Sequence, residues 1–219
     1  MKRIKLALTA VVAVVLLLTL GTSTASADTL TFQITSDHCT GGCLPSGTTS
    51  AGLITLTDVS SGVVSVNVTL NSGFLFQASG GFDSVAFDLN GTPTIAYSNI
   101  TSPWTVVGGS APSQSAGTYH EDGFGDFQYA IDLAGNGSAD AKPGPLNFTV
   151  TASGLSAASF VRNAGGAYFI VDIYSTSTGN TGVMDASNTN RTVPDGGMTL
   201  MLLGGALVGL EALRRKVRV

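Results

Sequence analysis

The sequence predicts an all-β fold, an antiparallel two-sheet sandwich of jelly-roll-like form. Three observations carry that expectation. Short segments alternate apolar and polar residues with period two, the mark of strands with one buried face. Clusters such as Asn71-Ser72-Gly73, Ser79-Gly80-Gly81, Asn90-Gly91 and Asn136-Gly137-Ser138 separate them as turns. Between the two ends of the chain Gly, Ser, Thr, Asn, Val and Ala dominate, and no stretch of helical period precedes Met198.

The predicted strands follow in order: 29–35, 51–57, 63–70, 73–78, 84–89, 94–97, 126–133, 146–151 and 167–174. The clearest is 63–70, where Val64, Val66, Val68 and Leu70 fall on one face. Phe127, Tyr129, Ile131 and Leu133 alternate in the same way, as do Leu146, Phe148 and Val150. Residues 108–117 are rich in Gly, Ser and Pro and read as a long loop. Residues 28–175 form the expected β-sandwich ectodomain, and Ser, Thr and Asn make 176–192 an expected stalk.

The N-terminus reads as a signal peptide over residues 1–27. Lys2, Arg3 and Lys5 precede an uncharged apolar run, and Ala25 and Ala27 fit a small-x-small cleavage site. An uncleaved anchor helix is the alternative, but the run is short for a span. Export implies an oxidising compartment. The only cysteines, Cys39 and Cys43, then suit a small-loop disulfide, with two glycines between them to let it close. A metal site with His38 is the alternative, although no further ligand lies close by in sequence.

At the C-terminus Val193, Pro194, Asp195, Gly196 and Gly197 form a structure-breaking segment. Residues 198–213 are apolar except for Thr199 and Glu211. As a helix they reach about 24 Å, short of a hydrocarbon core of about 30 Å but extendable by snorkelling arginines. Arg214, Arg215, Lys216 and Arg218 then act as a cytoplasmic stop. The expectation is one C-terminal transmembrane helix holding the ectodomain outside the inner membrane. A plain tail anchor is the alternative.

This three-part tail resembles the PEP-CTERM sorting signal over 193–219, in a VPDGG or VPDSG-type variant. The resemblance implies an exosortase as partner, recognition through Val193, Pro194 and Asp195, and removal of the transient inner-membrane anchor. The protein would end at the cell surface or outside the cell. The resemblance also implies a role in biofilm or exopolysaccharide. The departure at Gly196 and Gly197 leaves the particular exosortase and the cut site open.

Charge narrows the partners. Residues 28–192 hold three basic residues (Lys142, Arg162 and Arg191) against twelve acidic ones, a balance of about −9. Such a body repels nucleic acid and anionic lipid. No catalytic set stands out, no metal site is assigned and no cofactor is required. The expected role is structural or adhesive, with a secreted carbohydrate-binding module as the alternative. Trp104, Tyr119 and Phe124 would be that module's sugar platform if exposed. A glycoside hydrolase built on Glu121 and Asp126 is the remaining alternative. Asn136, Ser138 and Asp140, with Asp132 upstream, faintly resemble a calcium loop but lack the distal glutamate.

Overall fold

The computed structural model describes residues 28–100, 102–108 and 112–192. The signal peptide with Ala25 and Ala27, the motif at 193–197, the apolar segment and the basic tail all lie outside the described residues. Among the described residues no helix is long and apolar enough to cross a membrane.

The described chain is all-β. Its strands begin with β1 (Thr29–Ile34), β2 (Ser36–Asp37), β3 (Gly52–Ser60), β4 (Val63–Leu70), β5 (Phe74–Phe76) and β6 (Val85–Leu89). β7 (Ile95–Ser98), β8 (Trp104–Val106), β9 (Ser113–Gln114), β10 (Tyr119–Glu121), β11 (Gly125–Phe127) and β12 (Tyr129–Leu133) follow. The last are β13 (Leu146–Thr151), β14 (Phe160–Val161), β15 (Phe169–Ser175), β16 (Thr181–Asp185) and β17 (Asn188–Thr192). One sheet runs β17-β1-β3-β4-β13-β7-β9. The other runs β2-β16-β15-β6-β12-β8, with β14 beside β6 and β5 beside β15. β10 and β11 form a separate hairpin. The predicted antiparallel sandwich is therefore present.

Alternation explains the core between the sheets. Phe32, Ile54, Leu56, Val64, Val66, Val68, Phe148 and Val150 turn inward from the first sheet, and Val85, Phe87, Tyr129, Ile131, Phe169, Val171 and Ile173 from the second. The Phe87 ring sits 5.5 Å from Tyr129 in its own sheet and 6.2 Å from Phe148 in the facing one. Burying one such ring contributes about 2–3 kcal/mol.

Three predictions change. Residues 176–192 are not a stalk over most of their length: β16 and β17 occupy 181–185 and 188–192. β16 is covered on both faces, with Met184 in the main core and Val183 in a second cluster, so it lacks the alternation that marks a half-buried strand. The loop at 108–117 contains β9, whose Gln114 is fully buried. Gln114 Nε2 donates to the Val107 carbonyl at 2.6 Å, and its Oε1 accepts from the Tyr97 hydroxyl at 2.6 Å. The single strand predicted at 126–133 is two, β11 and β12. At the break the Gln128 amide donates to Asp88 Oδ1 at 2.7 Å, and Gln128 Oε1 accepts from the Leu89 amide at 3.1 Å. Phe127 and Tyr129 therefore enter different clusters, although their spacing puts them on one face of an unbroken strand.

Cys39 and Cys43 are joined, with Cα atoms 5.5 Å apart. The Asp37 carboxylate organises their loop by accepting the amides of Cys39 at 2.9 Å, Cys43 at 2.7 Å and Leu44 at 2.9 Å. A Cβ at Gly182 would lie 2.8 Å from Cys39 Cα, so the loop rests directly on β16. Both sulfurs are committed to each other, which removes them as metal ligands beside His38.

Candidate functional site

The β10–β11 hairpin covers the outer face of the second sheet. Its register pairs Tyr119 with Phe127, His120 with Asp126 and Glu121 with Gly125. Cross-strand partners share a face, so His120 and Asp126 turn out while Glu121 and Phe127 turn in. The outward pair meets at 2.9 Å, but the side chains are 72% and 60% exposed, where an ion pair contributes little. Inside, Phe124 and Phe127 pack with Ala86, Ala130, Ala167, Ile170 and Val183. Three alanines leave the space that two phenyl rings fill. The hairpin tip is tight, because a Cβ at Gly123, which has φ +77°, would meet the His38 ring at 2.1 Å. Buried Asn163 ties the hairpin down by donating Nδ2 to the Phe124 carbonyl at 2.7 Å and the Asp126 carbonyl at 3.2 Å.

Under this cover lies a cluster of acids. On the sheet, Val171 and Ile131 both pair with Val85. One residue along, Asp172, Ser84 and Asp132 stand abreast on the outer face. The Ser84 hydroxyl donates to Asp132 Oδ1 at 2.9 Å, and the Ser79 hydroxyl to Asp172 Oδ2 at 2.5 Å. Gln77 Nε2 reaches Asp172 Oδ1 at 3.4 Å. Glu121 comes from the hairpin, and its Oε1 accepts the Asp83 amide at 3.2 Å. Glu121 Oε2 and Gln77 Oε1 are buried with no hydrogen-bond partner among the described residues.

Burial sets the electrostatics of this cluster. It pushes the Glu121 carboxyl up to about 9; the Asp83 amide opposes this, and the charges of Asp83, Asp172 and Asp132 add to it. It pushes Asp172 up to about 7 against the pull of the Ser79 and Gln77 hydrogen bonds. Asp83 rises to about 6 through burial and the charge of Asp132. Asp132 is raised by burial and held back by its bonds from Ser84 and Leu133. None of the four forms an ion pair with a described Lys, Arg or His.

The first sheet has the opposite character on its outer face. Thr29, Thr57, Ser65, Thr149 and Ser98 are successive register partners across β1, β3, β4, β13 and β7. Thr31, Thr55, Asn67 and Asn147 form the next row. Asn67 Nδ2 donates to Asn147 Oδ1 at 2.6 Å, and Asn99 Nδ2 to Thr149 Oγ1 at 3.1 Å. No charged residue occupies an outward position of these five strands. Asp58 of β3 turns the other way and accepts the Ala157 amide at 2.6 Å. At about 4.8 Å per strand, the face is roughly 19 Å wide.

Several sequence-based site expectations are corrected. Glu121 and Asp126 do not form a catalytic pair: one is fully buried under the hairpin and the other lies on its outer side. Trp104 and Phe124 are buried, so they offer no exposed platform. Trp104 packs edge-on to Phe76 at 4.9 Å, and Tyr119 spends its hydroxyl on the Val107 carbonyl at 3.0 Å. Asn136, Ser138 and Asp140 are exposed on their loop, while Asp132 accepts the Ser84 hydroxyl on the sheet. The sequence reading missed Asp83, Asp172 and Gln77, which come from separate segments and meet only through strand register. It also missed the hydroxyl ladders, whose signal was present in the polar half of each alternating strand.

Compared with known protein families, curated proteins and solved structures, the chain matches none.

Proposed function

We propose that this is an exported, non-enzymatic surface or matrix protein whose open sheet face adheres to neutral extracellular polysaccharide. The observation that carries this reading is the pair of Thr, Ser and Asn ladders on the first sheet. Hydroxyl and amide side chains both donate and accept, which suits a sugar surface of like chemistry. The uncharged face avoids the cost of desolvating a charge against a neutral polymer. The described chain passes repeatedly between the two sheets, which supports reading the sandwich as jelly-roll-like. The tail at 193–219 supports export through the inner membrane and processing by an exosortase at Val193, Pro194 and Asp195.

The test is retention of the purified full chain on insoluble neutral polysaccharides, with an anionic polysaccharide in parallel. Retention on a neutral polymer, lost in the Thr55→Glu/Thr149→Glu double variant, is the expected result. Failure of the protein to bind any neutral polymer, or equal binding by the variant, defeats the reading. Sorting has a separate readout, mass spectrometry of the C-terminus in cells with and without an exosortase. Persistence of Arg214–Arg218 in both strains removes the sorting proposal.

A further inference from the structure

The acid cluster beneath the hairpin contains buried acceptors with no donor among the described residues. Glu121 is 0% exposed and Gln77 1%, and each has a buried oxygen without a partner. Gln77 Nε2 lies 3.4 Å from Asp172 Oδ1, so this side chain, with its unpartnered oxygen, stands beside the acid cluster. Asp83, Asp132, Asp172 and Glu121 converge there with no described cationic side chain paired to any of them. A buried anion is stable when it is neutralised or paired. What this arrangement lacks is positive charge presented to oxygen.

We propose that the acid cluster between the β10–β11 hairpin and the second sheet binds a hard divalent cation of the calcium class. Glu121 holds it from the hairpin, Asp172 and Gln77 hold it from the sheet, and the partly exposed Asp83 and Asp132 line its mouth.

The donor chemistry selects the ion. Every group is a carboxylate, amide or hydroxyl oxygen, the set preferred by hard cations, with no imidazole or thiolate. Spacing selects further. Among the described residues, only Asp37, Cys39 and Cys43 bring three His, Cys or carboxylate ligand atoms within 4.8 Å of one another, and the disulfide consumes two of those. Two calcium–oxygen bonds of about 2.4 Å span the same distance. At most two of the clustered carboxylates therefore touch the ion directly, with the Gln77 oxygen and water completing its shell. Calcium tolerates such an irregular shell better than magnesium, which demands a near-octahedral one. A water-rich site belongs with the weaker extracellular ones, with Kd on the order of 0.1–1 mM. The Ser79 and Ser84 hydroxyls hold Asp172 and Asp132 in place on the sheet. The bound ion replaces the protons that burial otherwise keeps on Glu121 and Asp172. Its structural effect is to clamp the hairpin onto the sheet. The polysaccharide reading concerns the other sheet, so either can fail alone.

The experiment strips the full chain with a chelator and titrates Ca²⁺ alone by equilibrium dialysis at about pH 8, with melting followed in parallel. Expected are one bound ion per chain, a midpoint on the order of 0.1–1 mM and a higher melting temperature. Glu121→Gln and Asp172→Asn each weaken binding about tenfold or more, while Asp126→Asn, on the outward side of the same hairpin, changes nothing. No binding up to about 10 mM, or binding that both cluster variants retain in full, overturns the proposal. Should a cluster variant fail to fold, the wild-type chain still decides. Proton competition at Asp83, Glu121, Asp132 and Asp172 must weaken Ca²⁺ binding at about pH 5 relative to pH 8, and pH-independent binding overturns the site.

Discussion

The two outer faces of the sandwich solve opposite problems. The first sheet turns rows of Thr, Ser and Asn outward, where they are partly or fully exposed among the described residues. The second turns Ala86, Ala130, Ile170 and Asp172 outward and covers them with a hairpin. The small alanines at these outer positions leave room for the rings of Phe124 and Phe127 that sit on them. The cover also takes acids out of water, which raises the proton affinity of Glu121, Asp172 and Asp83. The contrast separates an uncharged polar face from one built around an internal acid cluster.

The largest way to break this contrast is to remove a ring that fastens the cover. Phe127 is 1% exposed and packs in the second cluster. Phe127→Ala is expected to cost about 3–5 kcal/mol in urea unfolding, from lost transfer energy plus a cavity. Thr55→Ala on the open face is expected to stay within about 0.5 kcal/mol. If Phe127→Ala costs no more than Thr55→Ala, the hairpin is not a sealed cover.

A smaller, pH-dependent effect isolates Glu121. Its folded-state pKa of about 9 lies above the ordinary 4.5, so between those values the folded protein keeps a proton that the unfolded chain has lost. Stability from this group is complete below about 4.5 and is lost as pH rises through about 9. Asp172 and Asp83, at about 7 and 6, add the same sign at lower pH. The interval from pH 7 to 9 therefore belongs mainly to Glu121. In chelator, the wild-type chain is expected to lose on the order of 1 kcal/mol per pH unit there, and Glu121→Gln to show a flatter profile. Identical slopes for the two proteins would show that Glu121 does not hold the proton.

Much of the main core was legible because one side of each strand is apolar and the other polar, as in 63–70 and 146–151. That rule fails where both faces are covered. β16 buries Val183 and Met184 on opposite sides, so its pattern has no polar half. It also fails at Gln128, where two hydrogen bonds to β6 redirect the chain and separate Phe127 from Tyr129. Glu121 was visible as a candidate because it is the only Glu between residues 28 and 192, but its role was not. Its neighbours Asp83, Asp132 and Asp172 are brought to it by register, a long-range property that spacing along the chain does not encode.

The smallest expected effect on stability tests the open face most directly. Thr55 and Thr149 sit in adjacent rows and are separated by β4. Across two strand spacings and one two-residue step, they lie roughly 12 Å apart. Two glutamates there are mostly screened from each other at physiological salt, where the Debye length is about 8 Å. Both charges stay in water, so neither pays a burial cost, and the loss of β-branching costs about 1 kcal/mol or less. The Thr55→Glu/Thr149→Glu variant is therefore expected to unfold at nearly the wild-type urea midpoint. Its retention on neutral polysaccharide should nevertheless disappear, because docking would strip water from two carboxylates with no cation to receive them. A large stability loss would mean that the ladders serve folding. Unchanged stability with unchanged retention would mean that the uncharged character of this face has no part in adhesion.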